Sequence, residues 1–302
     1  MTDRARLVLV TGADGQLGRE LQRAAWPTRW TVTALKRQDL DLGSTDSIAR
    51  VIASKPWAAV INGAAYTAVD NAESDVIRAW EINALAPAAL AAACVKANIP
   101  LIQLSTDYVF GGDKTGAWEI NDPVGPLSVY GASKLGGELA VRTSGVRHVI
   151  LRTAWVVSAH GSNFVKTMLR VGAERSHLRV VDDQHGSPTS AGDLAAALIT
   201  IATRLVEDSK APTGIYHFSN AGNVSWAGFA SEIFRQSNAR GGPKATVEPI
   251  GTSDYPTPAK RPANSLLSHN AIKTDFGINP RAWQLALSDI LDELIGVPKE
   301  EQ

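Results

Sequence analysis

The run Leu7-Val8-Leu9-Val10-Thr11 ends at Gly12 and is followed by Ala13-Asp14-Gly15-Gln16-Leu17-Gly18; no other stretch narrows the choice of fold as much. An apolar run without polar alternation reads as a strand buried on both faces, the kind that belongs to a parallel sheet. Helical spacing resumes at Gln16, so Gly12, Gly15 and Gly18 lie in a strand–turn–helix unit. A phosphate can approach backbone closely only where no Cβ intrudes, and the free N–H groups at a helix start favour its charge. The spacing is GxxGxxG rather than the commoner GxGxxG. Glycines serving turn geometry alone are the plain alternative, which the strand–turn–helix setting disfavours.

The rest of the chain repeats the alternation. Strands are expected at 7–11, 30–35, 58–62, 100–105 and 148–153. Helices are expected at 44–54, with Ser44 or Thr45 as cap, over an Ala-rich 75–98, and at 130–143. Strands alternating with helices predict an α/β fold, a Rossmann-type doubly wound parallel sheet. Beyond Trp155 the pattern loosens into helices near 163–173, 190–206, 226–238 and 282–296, short strands near 178–181 and 214–218, and a largely irregular 240–264. With 302 residues there is chain for about two domains of roughly 150. The division expected is a dinucleotide-binding domain over 1–154 and a smaller mixed α/β substrate-binding domain over 155–302, with some later segments returning to the first.

Charge and cysteine content exclude several function classes. Lys plus Arg and Asp plus Glu number 30 each, which gives no electrostatic reason to expect nucleic acid or an anionic membrane as a partner. Cys94 is the single cysteine, so neither an intrachain disulfide nor a thiolate zinc site can form. The apolar stretch near the N-terminus is too short for a signal-peptide core, and no later run reaches 18 apolar residues. The expectation is a cytoplasmic protein.

Lys36-Arg37 closes the second strand, where the ribose of a dinucleotide lies. An acid there suits NAD, whereas a base accepts a 2′-phosphate, so NADPH is the expected cofactor with NADH left open. An exposed pair of charges is the alternative. Asp41 and Leu42 follow as residues to cover an adenine. Tyr130-Gly131-Ala132-Ser133-Lys134 opens a helix, and the i, i+4 spacing puts phenol and ammonium on one face. A free phenol has a pKa of about 10, and a nearby cation brings it towards the working range. Thr106, 24 residues before Tyr130, stands at the carboxyl end of the fourth strand, where open α/β sheets bind ligands. A hydroxyl bonded to its own backbone is its plain alternative.

Together, GxxGxxG, the strand-end Thr106 and YxxxK resemble the extended short-chain dehydrogenase/reductase superfamily. More narrowly, Ala64-Ala65-Tyr66-Thr67-Ala68-Val69-Asp70, Ser105-Thr106-Asp107-Tyr108-Val109-Phe110, Arg152-Thr153-Ala154-Trp155 and Asp182-Asp183-Gln184-His185-Gly186-Ser187-Pro188-Thr189 resemble the dTDP-4-dehydrorhamnose reductase family over nearly the whole chain. The resemblance implies reduction of the C4 ketone of dTDP-4-dehydro-L-rhamnose. Tyr130 would give the proton, Lys134 would lower its pKa and hold the nicotinamide ribose, and Thr106 would position the carbonyl. Cofactor contacts implied in the same way are Gly12, Gly15, Gln16, Leu17, Arg37, Asp41, Leu42, Ala64, Ala65, Tyr66 and Ser105. Substrate contacts implied are Tyr108, Trp155, Asn163 and Arg261. For Trp155 an interdomain core position, and for Arg261 an exposed loop position, stand as alternatives; His185 reads as loop or pocket lining. Some relatives bind Mg²⁺ through glutamates at a dimer interface, which leaves a homodimer open. Glu20 and Glu293 match two of those positions, but the third falls at Gly192, beside Asp193, so the set is incomplete and surface glutamates are the default. Two rivals remain: a non-catalytic regulatory subunit like the β subunit of methionine adenosyltransferase, and a reductase or epimerase of another nucleotide sugar.

Overall fold

In the computed structural model, which describes residues 5–298, six strands form one sheet. They are β1 (Arg6–Thr11), β2 (Trp30–Leu35), β3 (Trp57–Asn62), β4 (Leu101–Thr106), β5 (His148–Thr153) and β6 (Gly214–His217), in the order β6-β5-β4-β3-β1-β2. Every pairing in it is parallel. The chain leaves β1 for β2 on one side and crosses back to β3 on the other, so the strand order reverses at β1. Open α/β sheets bind ligands in the crevice at that reversal.

Helices cover both faces, which is why β1 carries Val8, Leu9 and Val10 without polar alternation: all three are fully buried. On one face α1 (Gln16–Arg23) contributes Leu21 to a core shared with Val8 and Val10. On the other, α2 (Thr45–Ser54), α3 (Ala86–Ala97) and α4 (Val129–Thr143) bury Ile48, Leu90 and Val141 around Leu9. Ser44 caps α2 through Ser47 N–H, and Ser128 caps α4 through Gly131 N–H.

The second half adds α5 (Phe164–Glu174), α6 (Ala191–Glu207), α7 (Trp226–Ala239), α8 (Asn270–Phe276) and α9 (Trp283–Leu294). Three of its parts join the sheet layer: α6 packs Leu194 and Leu198 against the β1 side, α8 adds Ile272 to the same core, and β6 pairs with β5. α5, α7 and α9 make a separate core in which Met168, Phe229, Phe234 and Leu291 meet. Among the described residues no helix is long and apolar enough to cross a membrane.

The structure adds local detail in three places. Within the largely irregular 240–264, Thr246–Ile250 pairs in parallel with His177–Val181, from Thr246 opposite His177 to Ile250 opposite Val181. The Ala-rich 75–98 is not one helix, because a π-helical turn, Glu81–Leu85, separates Val76–Trp80 from α3. The short helix α8 had no counterpart in the sequence reading.

Candidate active site

The glycine turn brings backbone to backbone. Gly12 has φ +82°, and a Cβ on it would lie 3.1 Å from the Ala64 backbone. A Cβ on Gly18 would lie 2.1 Å from the Gly12 carbonyl oxygen, so only glycine lets α1 start this close to β1. Above the turn runs a chamber of about 480 Å³ that Gly12, Gly15, Gln16, Leu17, Ala64, Ala65, Ser105, Tyr130 and Lys134 line. Gly12, Ala64 and Ala65 also line a second chamber of about 450 Å³, with Arg37, Asp41, Leu42 and Tyr66 around it. The two form one groove across the carboxyl edge of the sheet. Every residue that the sequence reading assigned to a cofactor lies along it, and the cradle a Cβ would fill suits a dinucleotide's phosphates.

At the inner end the side chains are buried and held from several sides. Lys134 donates from Nζ to the Leu104 carbonyl at 2.6 Å; burial brings its ammonium down to about 8, against the pull of Glu138. Gln103 donates from Nε2 to the same carbonyl at 2.8 Å, and its Oε1 accepts from Asn62 Nδ2 at 2.8 Å. Asn62 in turn accepts from the Thr11 hydroxyl at 2.6 Å, so one hydrogen-bonded chain crosses from β1 to the lysine's anchor. Four residues after Lys134, Glu138 accepts from Arg152 Nε at 2.9 Å and Nη2 at 2.7 Å and from the Ser105 hydroxyl. This ion pair is buried and ties α4 to β5. Asn83, on the π-helical turn, clamps both backbone groups of Tyr66 and donates to Ser133 of α4.

Tyr130 meets Tyr108 edge-on, with ring centroids 5.5 Å apart. Burial pushes the Tyr130 phenol up to about 12, opposed by a hydrogen bond with Thr106. The expected lowering by Lys134 is not what dominates in this geometry, because the ammonium is aimed at the Leu104 carbonyl. Thr106 donates to Asp107 Oδ1 at 3.0 Å and accepts from Tyr108 N–H at 3.2 Å.

Other residues singled out in the sequence lie further along. Trp155 adopts a left-handed φ of 48° and stacks on Trp226 with centroids 3.6 Å apart. Trp226, Phe164, Met168, Tyr255, Arg179 and Arg261 wall a third chamber of about 320 Å³. Arg261 is held there by Asp70 through bonds of 2.9 and 2.8 Å. Asn163 caps α5 and donates to Gln16 Oε1 at 2.9 Å and Ser158 O at 2.7 Å, so its amide is committed within the protein. His185 is exposed on the short strand His185–Gly186, which pairs antiparallel with Val224–Ser225.

Glu20 and Glu293 do approach one another, but Arg23 stands between them, 2.8 Å from both Glu293 oxygens and 3.7 Å from Glu20. A Cβ at Gly192 would face Glu20 Oε2 at 3.7 Å, while Asp193 turns to Arg281 at 2.9 Å. A guanidinium between the two glutamates and a glycine at the third position do not fit a Mg²⁺ ion. Among the described residues no group of three His, Cys, Asp or Glu side chains is placed to hold a metal.

Several functional neighbours escaped the sequence reading: Asn83, Gln103, Asp107, Glu138, Arg152, Arg78 and Trp226. Only Glu138 left a usable signal, its i, i+4 relation to Lys134 on the same helix face.

Residues 6–295 match the family described as RmlD substrate binding domain. A dTDP-4-dehydrorhamnose reductase of Aggregatibacter actinomycetemcomitans is 44% identical, covering 95% of this chain and 98% of its own. That of Escherichia coli K12 is 37% identical, over 95% of this chain and 97% of its own. Among solved structures, the Bacillus anthracis dTDP-4-dehydrorhamnose reductase in complex with NADP superposes with a TM-score of 0.88 at 35% identity, covering 96% of this chain and 99% of its own. A Clostridium acetobutylicum dTDP-4-dehydrorhamnose reductase gives 0.89 at 38% identity, covering 95% and 99%. With a family match from β1 past the end of α9, and relatives aligned along almost their full length, this chain belongs to the dTDP-4-dehydrorhamnose reductase family.

Proposed function

We propose that this chain reduces the C4 ketone of dTDP-4-dehydro-L-rhamnose to dTDP-L-rhamnose, with Tyr130 as proton donor and NADPH as the preferred cofactor. The observation that carries this reading is the meeting of Tyr130 and Lys134 in the inner chamber, with Thr106 acting on the Tyr130 phenol, in a groove whose outer chamber carries Lys36 and Arg37. A regulatory binding module needs no buried proton donor.

The nicotinamide, when bound, supplies the hydride. The protein supplies everything around it. Gly12, Gly15 and the start of α1 would receive the pyrophosphate; Arg37, with Arg78 across the outer chamber, would receive a 2′-phosphate. Thr106 and Tyr130 would meet the ketone oxygen, and the phenol would neutralise the developing alkoxide. The third chamber, with apolar walls and the Arg179 and Arg261 guanidinium groups, would take the nucleoside diphosphate. Residues 1–154 together with α6 and β6 would then act as the cofactor unit, and α5, α7 and α9 with their strand pair as the substrate unit. The test is NADPH oxidation with enzymatically generated dTDP-4-dehydro-L-rhamnose, with Tyr130→Phe as control. Product formed by the wild type and lost in the variant supports the reading. Tight NADPH binding with no turnover on this or other nucleotide 4-keto sugars overturns it in favour of a binding module.

A further inference from the structure

Asp107 is a buried carboxyl that the reaction just described does not use. It follows Thr106 directly at the end of β4 and is 2% exposed. Thr106 has one hydroxyl proton, and that proton goes to Asp107 Oδ1. The Thr106 hydroxyl oxygen itself accepts from Tyr108 N–H. Towards Tyr130, therefore, Thr106 offers a lone pair and no proton.

The other carboxyl oxygen, Oδ2, is buried without a hydrogen-bond partner. The Ser265 hydroxyl acts on the carboxyl but does not reach hydrogen-bond geometry with it. An unpartnered carboxylate oxygen in such a place is costly, and a proton removes the cost. A protonated Asp107 reverses the polarity of the chain: its O–H donates to Thr106, and the Thr106 proton turns towards Tyr130.

We propose that Asp107 is a positioning residue, whose carboxyl sets the direction of the Thr106 hydroxyl and whose protonated form re-forms the Tyr130 phenol through Thr106. The inference rests on the reading of Tyr130 as proton donor. As hydride adds to the ketone carbon, the π pair of the C=O bond moves to oxygen, which takes the Tyr130 proton. The phenolate takes the Thr106 hydroxyl proton while the Thr106 oxygen takes the Asp107 proton. Phenol and hydroxyl are restored, the single negative charge ends on Asp107, and water returns its proton after the product leaves.

Burial pushes the Asp107 carboxyl up to about 6, with the Ser265 and Thr106 hydroxyls and the backbone N–H groups of Asp107 and Tyr108 pulling the other way. The titratable groups facing it are Tyr108, its neighbour, and Tyr130 on α4; behind Tyr108 stands Arg261, paired with Asp70. The carboxyl is protonated below that pKa and ionised above it, so kcat should fall as pH rises through it. Asp107→Asn should lower kcat roughly tenfold, remove that limb of the pH profile and leave KM within about twofold. A wild-type limb retained in Asp107→Asn, or wild-type kcat, overturns the proposal. Infrared titration of the wild-type protein gives a readout without turnover: a protonated-carboxyl band that disappears near pH 6 supports the proposal, and no such band overturns it, even should Asp107→Asn fail to fold. Tyr130→Phe separates the two claims. Full activity there removes the donor, whereas an inactive Tyr130→Phe beside an unchanged Asp107→Asn profile sinks only the relay.

Discussion

The two ends of the cofactor groove are built on different principles. At the inner end, Lys134, Glu138 and Arg152 are buried, and each charge is met by a partner or a carbonyl fixed by further bonds. At the outer end, Lys36, Arg37 and Asp41 stand exposed, and Lys36 has only a 3.5 Å contact with Asp14. Buried charges cost several kcal/mol to desolvate, so they persist only where geometry holds them; exposed charges are screened and worth little to stability. The inner end thus couples chemistry to folding. The outer end can select a ligand at almost no structural cost.

This contrast can be broken by substitution, starting where the effect should be greatest. Tyr130→Phe should lower kcat by about a thousandfold, while NADPH binding measured by fluorescence titration stays near the wild-type value. Glu138→Gln should leave Arg152 buried without its counter-charge and lower stability by about 3–5 kcal/mol in urea denaturation. A loss under about 1 kcal/mol would show that the ion pair does not hold α4 in place. Gly18→Ala sits between the two ends: its Cβ would meet the Gly12 carbonyl, and the turn must shift. The expected cost is about 1–3 kcal/mol, with weaker NADPH binding measured alongside. Arg37→Ala should weaken NADPH about tenfold and NADH little, with stability changed by no more than about 0.5 kcal/mol. Equal losses for both cofactors would remove the distinction drawn for the outer end.

Periodicity and punctuation carried the sheet. Strands at 30–35 and 148–153 match β2 and β5 residue for residue, because aliphatic runs between turns leave few other readings. What the pattern did not resolve has physical causes. Thr246–Ile250 contains Pro249 and pairs only with His177–Val181, so it lacks the continuous apolar pattern of a buried strand. The π-helical turn is a slip in backbone hydrogen bonding inside a run that is helical on both sides, and composition does not register it. In the site, motif spacing led to the groove, since glycine turns and YxxxK act through local geometry. The supporting groups came from elsewhere. Gln103 and Asn62 lie on different strands, and Glu138 meets Arg152 across 14 positions, so their contacts exist only after the sheet has formed. Asn163, a substrate contact that the resemblance implies, caps α5 and holds Gln16, contacts that likewise exist only in the folded chain.

The stacked indoles of Trp155 and Trp226 carry a consequence for observing this protein in solution. Two identical chromophores 3.6 Å apart and inclined by 14° do not absorb independently; their electronic transitions mix into a coupled pair. Trp155 is fixed to the chain just after β5, while Trp226 opens α7. Any shift of one segment against the other changes the angle between the transition dipoles and hence the near-ultraviolet circular dichroism of the pair. The molecule therefore contains its own optical gauge of how those segments move, readable without an attached dye.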